Sequence, residues 1–159
     1  MGTPAPGTRI AAVGPQRAHV LTAAQRAARE GARFTDERPH AMAAGLPYQD
    51  ARCLVAFDDH GAAVAAVTVW SAGPGRPGLL EPTGVHREHR RHGHGTAITP
   101  AAAAALREPG APAAAAALRE PGSSSAIVCT PSSGAGAVAG YRPAGRRKLP
   151  EARDRYRDA

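Results

Sequence analysis

Runs of five to eight apolar residues predict the strands of this chain. Cys53–Phe57 and Val64–Trp70 are apolar and flank the polar turn Asp58–Gly61, a pattern typical of a β-hairpin buried on at least one face. Gly78–Val85 predicts a third strand. Pro82 interrupts that strand and indicates a bulge or an edge position, because proline has no amide hydrogen to donate.

A different spacing of apolar residues predicts the helices. Residues 15–30, PQRAHVLTAAQRAARE, carry alanine and larger apolar groups at helical intervals. Pro15 suits the first turn of such a helix, and Gly31 suits its end. Shorter helices are predicted at residues 37–45 and 134–141.

Two shorter apolar runs complete the order of elements. Arg9–Val13 predicts a weak first strand, and Ser125–Thr130 a short strand late in the chain. Strands and helices in this order predict an α/β or α+β fold around one mixed sheet. We expect a single domain over residues 15–147, preceded by a flexible N-terminus over 1–14 and followed by a charged tail over 148–159.

A tandem repeat lies between the third and last predicted strands. Residues 100–111, PAAAAALREPGA, and 112–123, PAAAAALREPGS, are identical at eleven of twelve positions. Each copy starts with proline and stops at Pro-Gly, which predicts a short helix with its own start and stop. Two copies without an apolar stripe do not make a solenoid. We interpret them as a local duplication within one helical segment.

Composition limits the size of the core. Hydrophobic residues make up 43% of the chain, but 38 of them are alanine, and Leu, Ile, Val and Phe together number only 22 of 159. Gly (18) and Pro (15) are also abundant, and the net charge of +7 comes almost entirely from arginine. A folded domain with a thin core and a flexible, Arg-rich protein making unspecific nucleic-acid contacts are both compatible with these numbers.

Several classes of protein do not fit the pattern. The longest run with large apolar side chains, Ala62–Trp70, is far shorter than the roughly 20 residues of a membrane span. Met1–Pro15 has no apolar run typical of a secretory signal. Cys53 and Cys129 lie in strand-like runs and are expected to be reduced core thiols. We therefore expect a cytoplasmic protein.

The segment Val85–Thr96, VHREHRRHGHGT, carries the clearest candidate chemistry. It follows a predicted strand and opens a predicted helix, and Arg90, Gly93 and Gly95 have the spacing R-x-x-G-x-G. Glycines let backbone amides approach an anion closely, and the unpaired N–H groups of a helix start point toward it. The neighbouring arginines add positive charge. The segment therefore predicts a site for phosphate or pyrophosphate.

This segment resembles the GNAT N-acetyltransferase superfamily, in which a strand ending in Val leads through an R/Q-x-x-G-x-G/A turn into a helix. A second motif of that family, N-x-x-A-x-x-x-Y-x-x-x-G-F, is matched in spacing by Ala137, Tyr141 and Gly145. The resemblance covers residues 50–147. It implies a mixed central sheet flanked by helices, and an acyltransferase reaction in which acetyl-CoA gives its acetyl group directly to a primary amine.

The resemblance also assigns roles to residues. Tyr141 would protonate the departing thiolate, and a backbone N–H near Val85 would polarise the thioester carbonyl. Glu81, on the strand expected to face the acceptor, is our candidate base or water relay. Acetyl-CoA would be held by the strand end and the turn, which comprise Gly84, Val85, Arg90, Arg91, His92, Gly93, His94, Gly95 and Thr96.

The chain departs from the family pattern at three positions. Gly134 stands where the family has Asn, and Arg146 stands where it has Phe. Pro100 lies a turn and a half into the predicted phosphate-binding helix, where an interior proline costs about 3 kcal/mol. A catalytically inactive GNAT-like fold that binds CoA or a protein partner is therefore the first alternative. The acceptor, a small-molecule or peptide amine, is not defined by the sequence, and neither is the choice between monomer and homodimer.

Four histidines, at 86, 89, 92 and 94, offer a second interpretation of the same segment. Imidazole is a common metal ligand. Arginines are interleaved with these histidines, however, and their charge opposes a bound cation, so we expect solvated loop histidines and no metal. Specific nucleic-acid binding is also not expected, because only six aromatic residues are present for base stacking.

Overall fold

In the part of the chain that the structure describes, five strands form one mixed sheet in the order β1-β2-β3-β4-β5, in which the first four are antiparallel and β5 runs parallel to β4. The computed structural model describes residues 7–37, 51–71, 75–107, 125–130, 135–142 and 146–151. The strands are β1 (Arg9–Val13), β2 (Ala51–Phe57), β3 (Ala63–Trp70), β4 (Pro77–Val85) and β5 (Ser125–Ile127). The helices are α1 (Ala18–Ala28), α2 (His94–Arg107) and α3 (Ala135–Tyr141), with 3-10 turns at Pro15–Arg17 and Arg87–His89.

The apolar runs of β2 and β3 are continuous because both faces of the sheet are covered. Alternate residues of β2 point to opposite faces: Cys53, Val55 and Phe57 pack in the cluster that includes Leu21 of α1. Leu54 and Ala56 pack in the other cluster, with three residues of α2, Ile98, Ala102 and Leu106. The two helices therefore enclose the sheet from opposite sides.

Alanine keeps the helices close to the sheet. The buried positions of α1 recur at intervals of three and four residues, the spacing of one helix face, and comprise Ala18, Leu21, Thr22, Ala24, Gln25 and Ala28. Most of these side chains are small, so the backbone of α1 lies close to the sheet. The core between them is thin, as expected from composition. Gln25 is the exception, a large polar side chain with no exposed surface.

The predicted hairpin is confirmed. β2 and β3 pair antiparallel around a turn in which Asp58 Oδ1 accepts hydrogen bonds from the amides of His60 (3.0 Å) and Ala62 (2.8 Å). The predicted irregularity at Pro82 is also present. The pairing of β4 with β3 shifts register between Thr83 and Leu80, which leaves Glu81 and Pro82 as a bulge.

Other predicted elements differ in extent. The helix predicted over residues 15–30 is a 3-10 turn followed by α1, and Gly31 with φ +69° lies just beyond its end. β5 ends at Ile127, three residues earlier than predicted. Of the helix predicted at 37–45, all but residue 37 lies outside the described residues.

Pro100 lies inside a helix, as expected from its place a turn and a half into the helix that follows the turn. The separate helix start that the repeat pattern also indicated is absent for the first copy. α2 begins at His94, continues through Pro100 and reaches Arg107. Pro100 is exposed, so its ring faces away from the sheet, and the one backbone bond it cannot donate, to Thr96, lies in the first turns of the helix. The second copy lies outside the described residues.

The expectation of two core thiols is half wrong. Cys53 is buried in β2, beside the hydroxyl of Thr68 at 3.7 Å, whereas Cys129 is exposed. The reason is the early end of β5, because Cys129 follows the paired residues and leaves the sheet. The two thiols form no disulfide with each other.

Candidate functional site

β4 has one paired and one open half. Its first residues, Pro77–Leu79, pair with β5, and this described pairing ends before the bulge at Glu81 and Pro82. Beyond the bulge, β4 continues beside β3 to Val85. The last part of β4 therefore presents an open edge, defined here as Thr83–Val85.

The hydrogen-bond pattern fixes which backbone groups face outward from this open edge. The amide of His86 donates to the carbonyl of Val64 on β3 (2.8 Å). Because hydrogen-bonded pairs alternate with non-hydrogen-bonded pairs in an antiparallel ladder, the N–H and C=O groups of Val85 and Thr83 point away from β3. The carbonyl of Thr83 accordingly accepts a hydrogen bond from Arg29 (3.3 Å). The Val85 N–H is directed toward the same open side.

The turn that follows β4 has the backbone expected of an anion site. Arg91 and Gly93 both have positive φ, 66° and 83°, and such left-handed residues curve successive amides into a concave surface. α2 starts directly afterwards, and the amide of Ala97 donates to the Gly93 carbonyl (2.9 Å) in its first turn. The amides of His94, Gly95 and Thr96 lie in the first turn and have no acceptor within the helix.

The arginines of the turn have different surroundings. Arg90 donates through Nη2 to the carbonyl of Ala28 (2.7 Å), and Arg87 donates through Nε to that of Ala27 (3.3 Å). Both side chains thus cap the last turn of α1, where cations interact favourably with the helix dipole. Arg91 is exposed beside the turn. The positive charge predicted for this segment is present, but two of its three guanidinium groups point toward α1.

Two glycines permit close packing around the strand end. A Cβ on Gly84 would lie 2.6 Å from Cβ of Ala28, so α1 contacts the backbone of β4 directly. A Cβ on Gly95 would lie 3.2 Å from Cγ2 of Val85. The second contact brings the start of α2 against the end of β4, and so sets the free helix amides beside the Val85 backbone.

The four histidines lie around the same turn, with ring centroids 5.0 to 6.3 Å apart between successive neighbours. His94 is buried and its Nδ1 lies 3.1 Å from the hydroxyl of Thr8. Burial, followed by the charges of His89 and His92, lowers the pKa of His94. In the described part of the chain no three His, Cys, Asp or Glu side chains form a group that could hold a metal ion.

Tyr141 lies at the end of α3, half-buried near the open edge of β4. Burial raises the pKa of its phenol, whereas a hydrogen bond with the Thr83 side chain and the charge of Arg29 oppose that rise. The Glu81 carboxylate raises the pKa further. The structure thus brings the two predicted catalytic residues, Tyr141 and Glu81, into the same electrostatic neighbourhood. The phenol remains protonated at neutral pH.

Glu81 itself is exposed on the bulge. Its backbone carbonyl accepts a hydrogen bond from the indole of Trp70, so the tryptophan connects the end of β3 to the bulge of β4. Trp70 is only partly buried. The predicted role of Glu81 as a base stays a prediction.

Gln25 of α1 and Arg29, which directly follows the helix, form a pair near the same place that no sequence motif indicated. Gln25 Nε2 donates to the Pro82 carbonyl (3.1 Å), and Gln25 Oε1 accepts from Arg29 Nη1 (3.1 Å). The buried Gln25 amide therefore donates to a carbonyl of the bulge through its nitrogen and accepts from the guanidinium through its oxygen. The available signal was a glutamine in the apolar stripe of an otherwise amphipathic helix.

The sequence matches the acetyltransferase (GNAT) family over residues 19–127, which is more than half of its 159 residues. The chain belongs to this family. The predicted membership of the GNAT family is thereby confirmed, and so are the single mixed sheet and the N-acetyltransferase class. The match covers residues 19–127, so the resemblance of the second motif, at Ala137, Tyr141 and Gly145, stays a prediction. No curated protein matches this GNAT chain.

Solved structures share its fold at low sequence identity. Ribosomal-protein-alanine N-acetyltransferase from Brucella melitensis biovar Abortus 2308 has a TM-score of 0.64 at 18% identity, over 94% of this chain and 99% of that one. AAC(6')-Iy in complex with the bisubstrate analogue CoA-S-monomethyl-acetylneamine has a TM-score of 0.69 at 8% identity, over 96% and 99%. Glucosamine-6-phosphate N-acetyltransferase from Arabidopsis thaliana has a TM-score of 0.60 at 14% identity, over 95% and 99%.

None of the helices in the described ranges combines the length and the apolar character that crossing a bilayer requires.

Proposed function

We propose that this GNAT protein transfers the acetyl group of acetyl-CoA directly to a primary amine. The observation that carries the proposal is the contact between Gly95 and Val85, which places the unpaired amides of the α2 start beside the open edge of β4. The unpaired amides suit a pyrophosphate, and the open strand edge suits an extended chain that contains amides. The residues present therefore fit the two parts of CoA that a GNAT site must hold.

The turn supplies the phosphate contacts. The amides that follow Gly93 would donate to the pyrophosphate, and the positive φ of Arg91 and Gly93 keeps the backbone curved around it. The exposed side chains of Arg91 and His92 add donors at the rim. Gly84 lets Ala28 pack directly against the strand where the CoA arm would lie.

Acetyl-CoA supplies an activated acetyl thioester. Transfer to the amine forms a C–N bond, breaks the C–S bond and releases CoA, and the proton that the amine loses passes to the protein or to solvent. The Val85 N–H, directed away from β3, would polarise the carbonyl of that thioester. Tyr141 keeps its proton at neutral pH and would donate it to the leaving sulfur. Glu81 would accept the proton of the amine, directly or through water.

A thermal-unfolding titration tests the cofactor site. We expect acetyl-CoA and CoA to raise the unfolding midpoint by several degrees, because a ligand at about 100 times its dissociation constant adds roughly 2.7 kcal/mol to the folded state. ATP, which has phosphates but no pantetheine, is the control and should give a smaller shift. A cooperative transition that neither CoA species moves would contradict the proposal.

Release of the CoA thiol in the presence of a panel of primary amines then tests transfer. CoA binding with acetylation of at least one amine supports the enzyme. CoA binding without transfer to any amine would instead support the inactive GNAT-like fold.

A further inference from the structure

Arg29 is a solvent-exposed cation held at the open edge of β4, although no motif draws attention to it. Its Nη1 donates to Gln25 Oε1 (3.1 Å) and its Nη2 to the Thr83 carbonyl (3.3 Å). Gln25 is wholly buried, and its other end is bonded to the Pro82 carbonyl, so the guanidinium is anchored to the core. This anchoring removes much of the rotamer freedom that an exposed arginine usually has.

The anchored guanidinium keeps donors for a ligand. Arginine carries five N–H groups in a planar fork, and the two hydrogen bonds above use two of them. Among the described residues no carboxylate forms an ion pair with Arg29. A fixed, exposed guanidinium that forms no ion pair with a carboxylate in the described ranges is suited to bidentate binding of a carboxylate or a phosphate.

Its position points to the acceptor side of the site. Arg29 is close enough to Tyr141 for the two groups to interact, and it contacts Thr83, two residues before Val85. The turn expected to hold the pyrophosphate begins beyond Val85, and its Arg90 reaches the neighbouring residue Ala28. The hydrogen bond of Arg29 to Thr83 and its interaction with Tyr141 place its free donors beside the proposed acid.

We propose that the acceptor is a small amine that also carries an anionic group, a carboxylate or a phosphate, and that Arg29 binds this group. The inference rests on the proposed function, because it concerns the second substrate of the same site. Gln25 is the positioning residue that orients the guanidinium. The net charge of +7 of the whole chain also favours an anionic acceptor over a polyamine.

Pairs of amines that differ only in the anionic group provide the test. β-Alanine is compared with β-alaninamide, and phosphoethanolamine with ethanolamine. We expect kcat/KM to be at least 10-fold higher for the anionic member of one pair. A preference for β-alanine indicates a carboxylate, and a preference for phosphoethanolamine indicates a phosphate. Equal or lower kcat/KM for both anionic members would overturn the inference and leave the proposed function intact.

Variants of Arg29 and of Arg26, an arginine in the last turn of α1, make the test specific. Arg29→Met should remove the preference for the anionic member, whereas Arg26→Met, which removes the same charge from an exposed position three residues earlier, should keep it. Arg29→Lys retains one charge without the fork and should show a reduced preference. This variant also provides the result if Arg29→Met does not fold. An unchanged preference in Arg29→Lys and Arg29→Met contradicts the assignment.

A binding measurement separates this inference from catalysis. Calorimetry of the protein with CoA present compares N-acetyl-β-alanine and N-acetyl-O-phosphoethanolamine with N-acetyl-β-alaninamide. We expect at least one anionic product to bind 10-fold or more tightly than the neutral product, and to lose that advantage in Arg29→Met. Equal binding of all three would overturn the inference, even if no amine had been acetylated.

Discussion

The methyl group of Ala28 occupies the space that a side chain on Gly84 would need. A Cβ at Gly84 would lie 2.6 Å from that of Ala28 and 3.3 Å from Gln25 Oε1. Gly84 on β4 and Ala28 on α1 thus form one close contact, which depends on both residues being small. It brings α1, which carries Gln25 and is followed by Arg29, against the strand end that carries Val85.

Gly84→Ala should destabilise the fold because the added methyl group overlaps with Ala28. We expect the free energy of unfolding to fall by about 1–3 kcal/mol, the usual cost of overpacking. Urea unfolding measures this value. Ala28→Gly in the same chain should restore part of the loss, with a coupling energy of about 0.5–3 kcal/mol between the two sites. Additive effects would show that the two residues are not in contact.

Gly93→Val should weaken CoA binding, because a β-branched residue does not tolerate a φ of +83° without about 1–2 kcal/mol of strain. Rearrangement of the turn to relieve that strain would misdirect its amides, so we expect at least a 10-fold loss of affinity by calorimetry. Gly75→Val is the matched control, because Gly75 also has positive φ (69°) but precedes the opposite end of β4. Similar loss in both variants would indicate general destabilisation.

Tyr141→Phe tests the proposed acid. The variant keeps the ring and loses the proton, so kcat should fall by roughly 10²–10⁴ while CoA affinity stays unchanged. The raised pKa of Tyr141 adds a pH criterion. Since the phenol is protonated below its ordinary pKa of about 10, it should cause no fall in kcat between pH 7 and 9. A variant with wild-type kcat would rule out the role.

His94 makes stability depend on pH. Its pKa is lowered in the folded state, so the unfolded chain binds the proton more readily and stability is lost as pH falls below the unfolded value of about 6.5. At pH 7.5 the loss of stability caused by His94 is absent. Thermal unfolding between pH 5.5 and 7.5 should show a decline in the wild type that His94→Gln reduces. His19→Gln, at an exposed position of α1, should retain the decline.

Pro100→Ala should stabilise the protein. Pro100 is exposed within α2, and alanine would restore an amide able to donate to the Thr96 carbonyl. We expect up to about 3 kcal/mol of added stability, measured by urea unfolding. Ala104→Pro would show the reverse, at another exposed position of the same helix. No gain from Pro100→Ala would mean that the helix has adapted fully to its proline.

Sequence patterns predicted the parts of the fold that local chemistry specifies. The hairpin follows from two apolar runs and an Asp-Asp-His-Gly turn, and the bulge follows from Pro82, whose missing amide hydrogen interrupts a ladder. The turn before α2 was predicted from the spacing of Arg90 and Gly93. Each of these signals lies within about ten residues of the structure it predicts.

Features that depend on distant residues were not predictable in the same way. Arg29 and Gln25 become important only because α1 packs on β4, more than fifty residues later in the chain. The exposure of Cys129 depends on where β5 stops pairing with β4. The repeat pattern indicated a separate helix start at Pro100, but the helix start predicted at the turn six residues earlier is the one that the structure has.

The last turn of α1 receives two arginines from the turn before α2 and holds a third at the open edge of β4. One helix end thus joins the proposed cofactor side of the cleft to the proposed acceptor side. Its amides should consequently report on both ligands, and hydrogen–deuterium exchange there should slow when either is added. If the first ligand already orders this helix end, the second has less order to impose, and the two substrates would bind with positive cooperativity.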